Sequence, residues 1–200
     1  MVSNCRTTRK GFVSGGTNGL QQVDYSYNSR GWLKSINDIE NLGNDLFAFS
    51  INYNDPLEEQ ALYNGNISET LWKTSSDNIK RMYKYKYDNL NRLKEANFKQ
   101  FSQNPLTDRF REYLNYDKNG NISYLFRTGE NPNASSLTPV IDNLNYIYHL
   151  DKKNQLMQVQ DTSFNTDGFK DGINPGYDYS YDENGNMTQD HNKNIQLITY

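Results

Sequence analysis

The stretch Tyr83-Lys84-Tyr85-Lys86-Tyr87-Asp88-Asn89-Leu90-Asn91-Arg92-Leu93 decides the fold that this sequence predicts. Three tyrosines alternate with two lysines, so the tyrosines share one face of an extended strand and the lysines share the other. The polar residues 88–91 are typical turn formers, and Leu93 resumes the apolar pattern after them. The stretch therefore predicts a β-hairpin.

The same pattern recurs four more times along the chain. Each copy has an Asp or Asn that starts the turn, and a Gly or Asn three residues later. Gly and Asn adopt positive φ more readily than other residues, so this second position is predicted to be left-handed and to close the turn with a bulge. The predicted turn pairs are Asn28 and Gly31, Asp88 and Asn91, Asp117 and Gly120, Asp151 and Asn154, and Asp182 and Gly185.

One interval between turn starters, from Asn28 to Asp88, is about twice as long as the others, and a further hairpin is predicted inside it. Phe47–Asn54 has the alternating pattern, but an insertion over 55–64 separates it from Gly65-Asn66-Ile67. Residues 58–62 of this insertion are predicted to form one helical turn.

Six hairpins of similar length indicate a repeat architecture, in which neighbouring copies build the core together. The predicted fold class is therefore all-β, made of repeated antiparallel β-hairpins. Residues 1–22 are predicted to be an N-terminal loop or partial strand, in which Phe12-Val13 pairs with the first hairpin. Residues 23–200 are predicted to hold about six hairpins. The chain is expected to be an internal segment of a longer polypeptide, truncated within a strand at 195–200.

The pattern Tyr-Asp-x-x-Gly-(Asn/Arg)-(Leu/Ile/Met) resembles the YD repeat of the Rhs family, which is related to bacterial wall-associated proteins and to the extracellular part of teneurins. The resemblance covers roughly 23–200. It implies a curved or spiral β-sheet shell, which in bacterial members encloses a toxin domain at the C-terminus. The expected function is a non-enzymatic structural shell segment of a secreted or cell-surface protein. Its expected partner is the remainder of the same polypeptide, with further repeats and an effector domain.

Composition argues against several other classes of function. The net charge is −3, so the chain lacks the basic surface typical of nucleic-acid binding. No apolar run approaches the roughly 18 residues that a membrane-spanning helix requires. We therefore expect neither a nucleic-acid partner nor membrane insertion. Cys5 is the only cysteine, which excludes a disulfide framework within this chain.

No catalytic, cofactor-binding or metal-binding residue is predicted. Asp117-Lys118-Asn119-Gly120-Asn121 superficially resembles a calcium loop, but its glycine is fourth rather than sixth and the twelfth residue is Thr128 instead of Glu. The histidines His149 and His191 lie in no recognisable motif, and His149 is predicted to be a surface or packing residue within a strand. Asp55-Pro56 shares only its first two residues with the self-cleaving aspartyl motif of Rhs proteins. The chain is therefore predicted not to be an enzyme.

A binding module is the alternative interpretation. Sixteen Tyr and two Trp supply aromatic surface with polar rims, which suits recognition of a cell-surface carbohydrate or protein. The two interpretations differ in where the aromatic residues lie. A shell is expected to have them along a concave inner face, whereas a carbohydrate-binding module gathers them in one shallow patch.

Overall fold

The computed structural model describes residues 5–10, 22–102, 109–130, 139–172, 176–196 and 198, with only the backbone described for 5–10 and 22. The chain forms two compact units, Met1–Thr107 (unit 1) and Asp108–Tyr200 (unit 2). Both units consist of antiparallel β-hairpins, which confirms the predicted all-β class. Among the described residues, the only helix is the short 3-10 helix His191–Lys193.

Seven strands are described in unit 1, and consecutive strands within the unit pair antiparallel. Alternation of apolar and polar side chains favours this arrangement, because one face of each strand packs while the other carries charge. The strands are β1 (Cys5–Lys10), β2 (Gln22–Tyr27), β3 (Leu33–Ile36), β4 (Phe47–Asn52), β5 (Glu69–Thr74), β6 (Lys80–Tyr87) and β7 (Leu93–Phe101).

One face of the unit 1 sheet carries an aromatic cluster around Tyr83. The Tyr83 ring centroid lies 5.7 Å from that of Trp72, 6.0 Å from that of Tyr85 and 5.6 Å from that of Phe98. Aromatic pairs on one face of a sheet stabilise the pairing of neighbouring strands. The alternating tyrosines of β6 thus pack against aromatic neighbours from β5 and β7.

The opposite face of this sheet holds a small apolar core. Leu71 of β5 and Met82 of β6 are directly paired and almost completely buried. On the same face, Lys80 of β6 forms an ion pair with Glu40 at 2.8 Å. Glu40 belongs to the connection between β3 and β4, so this ion pair holds the connection beside the core face.

Unit 2 contains a four-stranded antiparallel sheet and a separate two-stranded one among its described residues. The core combines Leu144 and Val159 from the larger sheet with Tyr179 from the smaller one. The four strands are β8 (Glu112–Tyr116), β9 (Ile122–Thr128), β10 (Val140–Tyr148) and β11 (Leu156–Asp161), and the two are β12 (Tyr179–Tyr181) and β13 (Met187–Asp190).

The pairs β2–β3, β4–β5, β6–β7, β8–β9, β10–β11 and β12–β13 are called hairpins 1 to 6 here. In five of them, all but hairpin 2, the register shifts by one residue just inside the return strand. Such a shift is a β-bulge, which strengthens the local twist. The register therefore pairs the last tyrosine of the first strand with the first apolar residue of the return strand: Tyr27 with Leu33, Tyr87 with Leu93, Tyr116 with Ile122, Tyr148 with Leu156, and Tyr181 with Met187.

Separate predictions concern the insertion and the two ends of the chain. Residues 58 and 59 form a bend and residues 60–62 have no regular secondary structure, so the predicted helical turn is wrong. Residues 5–10, predicted as loop or partial strand, form β1, while Phe12-Val13 lies outside the described residues. Toward the C-terminus, Ile195 forms only an isolated bridge with Asp190. Residues 199 and 200 lie outside the residues that the structure describes.

Candidate functional site

A groove of about 690 Å³ opens in unit 1 between the turn of hairpin 1 and the insertion of hairpin 2. Residues 28–34 form one wall, and Asn54, Asp55, Leu62 and Tyr63 form the other. Small-molecule sites in proteins typically measure about 300–1,000 Å³. The groove is therefore large enough to hold a small ligand, and we call it the Trp32 groove.

The floor of the Trp32 groove is a row of serines from three adjacent strands. The register pairs Ser26 with Ser35 and Ser35 with Ser50, so the three side chains lie on one face. The hydroxyl oxygens of Ser26 and Ser35 share a hydrogen bond of 2.6 Å. The same cross-strand row continues into Leu71 and Met82 of the apolar core. Because serine is much smaller than these residues, the row leaves open space above β2, β3 and β4.

Trp32 connects the two walls of the groove. Its ring centroid lies 5.2 Å from that of Tyr53, and the Arg30 guanidinium lies 5.1 Å from the Trp32 ring centroid. Arg30 also donates a hydrogen bond of 3.2 Å to the carbonyl of Tyr63. The ring packs so closely on Gly65 that a Cβ there would lie 3.0 Å from Trp32 Cη2. Glycine at 65 is thus required by both its φ of 99° and this contact.

The charged groups Lys34 and Asp55 face each other across the groove. Lys34 Nζ lies 2.7 Å and 2.8 Å from the two carboxylate oxygens of Asp55. It also lies 5.9 Å from the centroid of the Tyr53 ring. The pair leaves Arg30 as the remaining charged side chain among the lining residues.

The insertion is anchored by the buried carboxylate of Glu69. The backbone N–H groups of Leu57, Glu58 and Glu59 donate to its two oxygens at 2.7–2.8 Å, and Asn52 Nδ2 donates at 3.2 Å. Burial by itself would raise the pKa of Glu69, but these hydrogen bonds outweigh it and the pKa lies below its ordinary value. The N–H of Leu62, which would close the predicted helical turn on the carbonyl of Glu58, donates instead to the carbonyl of Tyr53 at 2.8 Å, so residues 58–62 are not helical.

A second anchor of the insertion is Glu58. Its carboxylate pairs with Lys99 and, at 3.3 Å, with Lys84. The hydrogen bond from Lys99 is the largest cause of a lowered pKa of Glu58. Together Glu58 and Glu69 attach the insertion to strands β5, β6 and β7.

Four of the five predicted turns share one geometry. In each, the starter N–H donates to the carbonyl of the residue four positions on, and the residue three positions on donates to the starter carbonyl. The latter residue has positive φ in all four turns, as the pattern predicts. The φ values are 80° at Gly31, 63° at Asn91, 92° at Gly120 and 88° at Gly185.

The starter side chain caps the turn. Asp117 Oδ1 accepts from the N–H of Asn119 at 2.8 Å and of Asn121 at 2.9 Å, while its Oδ2 accepts from Asn121 Nδ2 at 2.9 Å. Asp88 and Asp182 cap their turns in the same manner, since Oδ2 of each accepts from the side chain four positions on, Arg92 and Asn186 respectively. The hydrogen bond from the side chain four positions after the starter is the largest cause of the lowered pKa of Asp88, Asp117 and Asp182.

Hairpin 1 varies this arrangement because its starter is Asn28. Asn28 Oδ1 accepts from the N–H groups of Arg30 at 3.0 Å and Trp32 at 2.9 Å. An Asn side chain has one oxygen, so it offers no second acceptor to the residue four positions on. The Trp32 side chain at that position therefore donates no hydrogen bond to the starter, and it lines the groove instead.

The turn of hairpin 5 differs from the prediction. His149 rather than Asp151 starts it, because His149 Nδ1 accepts from the N–H groups of Asp151 and Lys152, both at 3.1 Å. The loop between the paired residues is two residues longer than in hairpin 4, and Asn154 does not have positive φ. The assignment of Asp151 and Asn154 as starter and left-handed residue was wrong, since a histidine nitrogen replaces the Asx oxygen. His149 lies just after β10 instead of within it.

The turns of neighbouring hairpins also contact one another. Asn91 Oδ1 accepts from Asn64 Nδ2 at 2.7 Å and from Asn66 Nδ2 at 3.2 Å, which joins hairpins 2 and 3. In unit 2, Asn121 Nδ2 donates to the carbonyl of Lys153 at 3.0 Å and joins hairpins 4 and 5. Of the predicted turn residues, Asn91 and Asn154 thus contact a side chain of the adjacent hairpin, and only Asn28 lines the groove.

The tyrosine before each turn binds the preceding hairpin. In four hairpins its hydroxyl donates to the carbonyl of the residue that begins, or leads into, the previous return strand. Burial raises the pKa of all four tyrosines. The bonds run from Tyr53 to Leu33 at 3.2 Å, from Tyr87 to Ile67 at 2.9 Å, from Tyr148 to Ile122 at 2.9 Å, and from Tyr181 to Leu156 at 2.7 Å.

Buried carboxylates in unit 2 hold loops as Glu69 does in unit 1. Asp142 pairs with Arg127 and accepts from the N–H of Phe169 at 2.6 Å. Asp178 accepts from the N–H of Val159 at 2.7 Å and so joins the two sheets of the unit. The repeat pattern did not single out these carboxylates, nor Glu69 and the serine row, because none of them recurs at the repeat period.

Within the part of the chain that the structure describes, no helix is long and apolar enough to cross a membrane, and no group of three or more His, Cys, Asp or Glu side chains is arranged to hold a metal ion. A scan against protein-family models and a search of curated proteins found no match to this chain.

Proposed function

We propose that this chain is a non-enzymatic structural segment of an Rhs-type shell, which encloses or displays the C-terminal effector domain of a secreted or cell-surface protein. One observation carries the proposal: the repeat tyrosine of each of four hairpins donates its hydroxyl to the hairpin before it. The most regular residue of the repeat therefore joins successive copies. An array built in this way extends by addition of hairpins, as a scaffold does.

The turn aspartates support a structural role as well. Both oxygens of Asp88 and of Asp117 accept hydrogen bonds within their own turns. These bonds lower the pKa of both groups, whereas a general acid at neutral pH requires a raised pKa. The repeated carboxylates are thus used to hold turns rather than to transfer protons.

Limited proteolysis of the complete polypeptide, with its downstream sequence, tests the proposal. We expect the domain after the repeats to be cut much more slowly in the complete polypeptide than when it is expressed alone. The double variant Tyr87→Phe/Tyr148→Phe is expected to accelerate this cleavage, because two of the bonds between hairpins are lost. Tyr177→Phe is the matched control, since Tyr177 is 60% exposed. Equal cleavage rates with and without the repeats would refute the shell.

A cell-surface binding module for a glycan or a protein is the second candidate. The Trp32 groove favours it, because the groove gathers aromatic, hydroxyl and amide groups in one place. Sedimentation of the chain and titration of its tyrosine fluorescence separate the two roles. A compact monomer at all concentrations with a saturable glycan response supports the module. Self-association without such a response supports the shell segment, whose strand edges are completed by neighbouring repeats.

A further inference from the structure

We propose that the Trp32 groove binds a neutral saccharide, with the serine row as its floor and Tyr63 as its aromatic wall. This proposal deepens the binding-module candidate and rests on it. The serine row and Tyr63 lie on β2, β3, β4 and the insertion, and none of them stands at a repeated turn position. The groove measures about 690 Å³ and opens to solvent. Its size suits one or two sugar rings.

The floor offers hydroxyl groups in a row. Ser26 and Ser35 already share a hydrogen bond, which leaves each oxygen with further capacity as an acceptor. Ser50 makes no side-chain hydrogen bond to any other described residue and is only partly buried. Hydroxyls that both donate and accept are matched to the hydroxyls of a sugar, because either partner can supply the proton.

The wall offers an aromatic face. Tyr63 lines the groove and its side chain is 70% exposed. An exposed aromatic ring with polar groups beside it can pack on the C–H face of a sugar while the hydroxyls of the sugar bind the floor. Trp32 stiffens the wall and is not the ring that the sugar contacts. Arg30, Tyr53 and Gly65 already pack around its ring.

The charged groups of the groove are already engaged within the chain, which favours a neutral ligand over an acidic one. Arg30 lies over the Trp32 ring and donates to the carbonyl of Tyr63. Lys34 is paired with Asp55 through both carboxylate oxygens. An anionic sugar would have to compete with Asp55 for Lys34 and would lie beside the Asp55 carboxylate. A neutral sugar instead accepts from Lys34 and donates to Asp55 without separating the pair.

Hydrogen bonds within the chain hold both walls of the groove. Glu69 holds residues 57–59 of the insertion by three backbone hydrogen bonds, and Arg30 holds the carbonyl of Tyr63. Preformed walls reduce the entropy that binding must overcome. The two walls therefore keep their separation when a sugar enters.

The test uses saturation-transfer NMR and titration of the full chain with maltose, cellobiose and lactose, and with glucuronate as the acidic probe. We expect saturable binding of at least one disaccharide below about 10 mM, and weaker binding of glucuronate. Tyr63→Ala is expected to reduce the affinity about tenfold, and Ser50→Val to abolish saturation at these concentrations. Tyr177→Ala is the matched control, because Tyr177 is 60% exposed and lies in unit 2.

Three results would overturn the proposal. The first is the absence of saturable binding by all three disaccharides. The second is an equal loss of affinity in Tyr63→Ala and Tyr177→Ala, which would show that sugars contact exposed tyrosines indiscriminately. The third is tighter binding of glucuronate than of the disaccharides. Near-ultraviolet circular dichroism of each variant establishes that the fold is intact, and Ser50→Ala replaces Ser50→Val if the larger side chain disturbs the sheet.

Discussion

The hydroxyl of Tyr87 donates a hydrogen bond of 2.9 Å to the carbonyl oxygen of Ile67 in the hairpin before it. Tyr148 and Ile122 repeat this relationship in unit 2, also at 2.9 Å. A tyrosine side chain is long enough to reach the neighbouring strand end. Its ring packs on the sheet while its hydroxyl donates a hydrogen bond. The tyrosine of the repeat is therefore a connection between hairpins.

Removing this connection should lower stability. We expect Tyr87→Phe to reduce the free energy of unfolding by about 0.5–1.5 kcal/mol, because the hydrogen bond to Ile67 is lost while the ring packing remains. Urea denaturation followed by circular dichroism measures the change. Tyr63→Phe is the control, since Tyr63 is largely exposed and lies in the same unit. Equal effects of the two variants would contradict the role of the bond.

The left-handed turn position should reject β-branched residues. Gly120 has a φ of 92°, and a Cβ there would meet no atom within 4 Å, so a substitution is strained by the backbone alone. Gly120→Val should lower the free energy of unfolding by roughly 1–3 kcal/mol. Gly120→Asn should cost clearly less, because Asn91 adopts positive φ in the equivalent turn. Thermal or urea unfolding of the two variants decides the matter, and an equal cost for Val and Asn would be inconsistent with backbone strain.

The anchor of the insertion should depend on the charge of Glu69. In Glu69→Gln the three N–H groups of residues 57–59 lose a charged acceptor, and we expect a loss of roughly 1.5–3 kcal/mol in stability. Hydrogen exchange at the amides of Leu57, Glu58 and Glu59 should accelerate in this variant. Glu59→Gln, in the same loop, is the control. Unchanged protection of the three amides in Glu69→Gln would show that the carboxylate does not hold the loop.

Stability should fall on the acid side of neutrality. The pKa values of Glu69, Asp88, Asp117 and Asp182 are lowered in the folded chain by hydrogen bonds to the ionised form, and that of Asp77 is lowered to about 2, chiefly by its hydrogen bond from Arg81. A lowered folded pKa stabilises the protein above the unfolded pKa of about 4, and this contribution disappears as pH falls through the folded pKa. The urea midpoint should therefore decrease from pH 5 toward about pH 2. A midpoint that does not change over this range would refute the expectation.

Stability should also fall at alkaline pH. Burial raises the pKa of Tyr53, Tyr87, Tyr148 and Tyr181 above the ordinary value of about 10. The unfolded chain loses these protons first, so the stabilisation that is complete below about pH 10 is lost as pH rises through the folded pKa values. Tyrosinate absorbance and circular dichroism should change together above pH 10. Ionisation of every tyrosine near pH 10 with the fold intact would contradict the burial of these hydroxyls.

Hairpins, turns and bulges were predictable because their causes are local. Alternation places side chains on two faces, and the Asx residue and the left-handed residue act within five positions of each other. Hairpin 5 shows the limit of this reasoning. The nitrogen of His149 is the acceptor there in place of an Asx oxygen. The sequence pattern therefore assigned the start of the turn to Asp151, two residues after the true starter.

The sequence by itself determined the all-β class and the left-handed positions at residues 31, 91, 120 and 185, since each depends on contacts between residues close in the chain. Only the tertiary structure decided that Glu69 binds the insertion and that Ser26, Ser35 and Ser50 line one groove. Those contacts join residues from different strands and loops, and each occurs only once among the described hairpins, so no repeated sequence pattern marks them. Which residues meet depends on the strand register and on the path of the loop, and both are set by the packing of the whole unit.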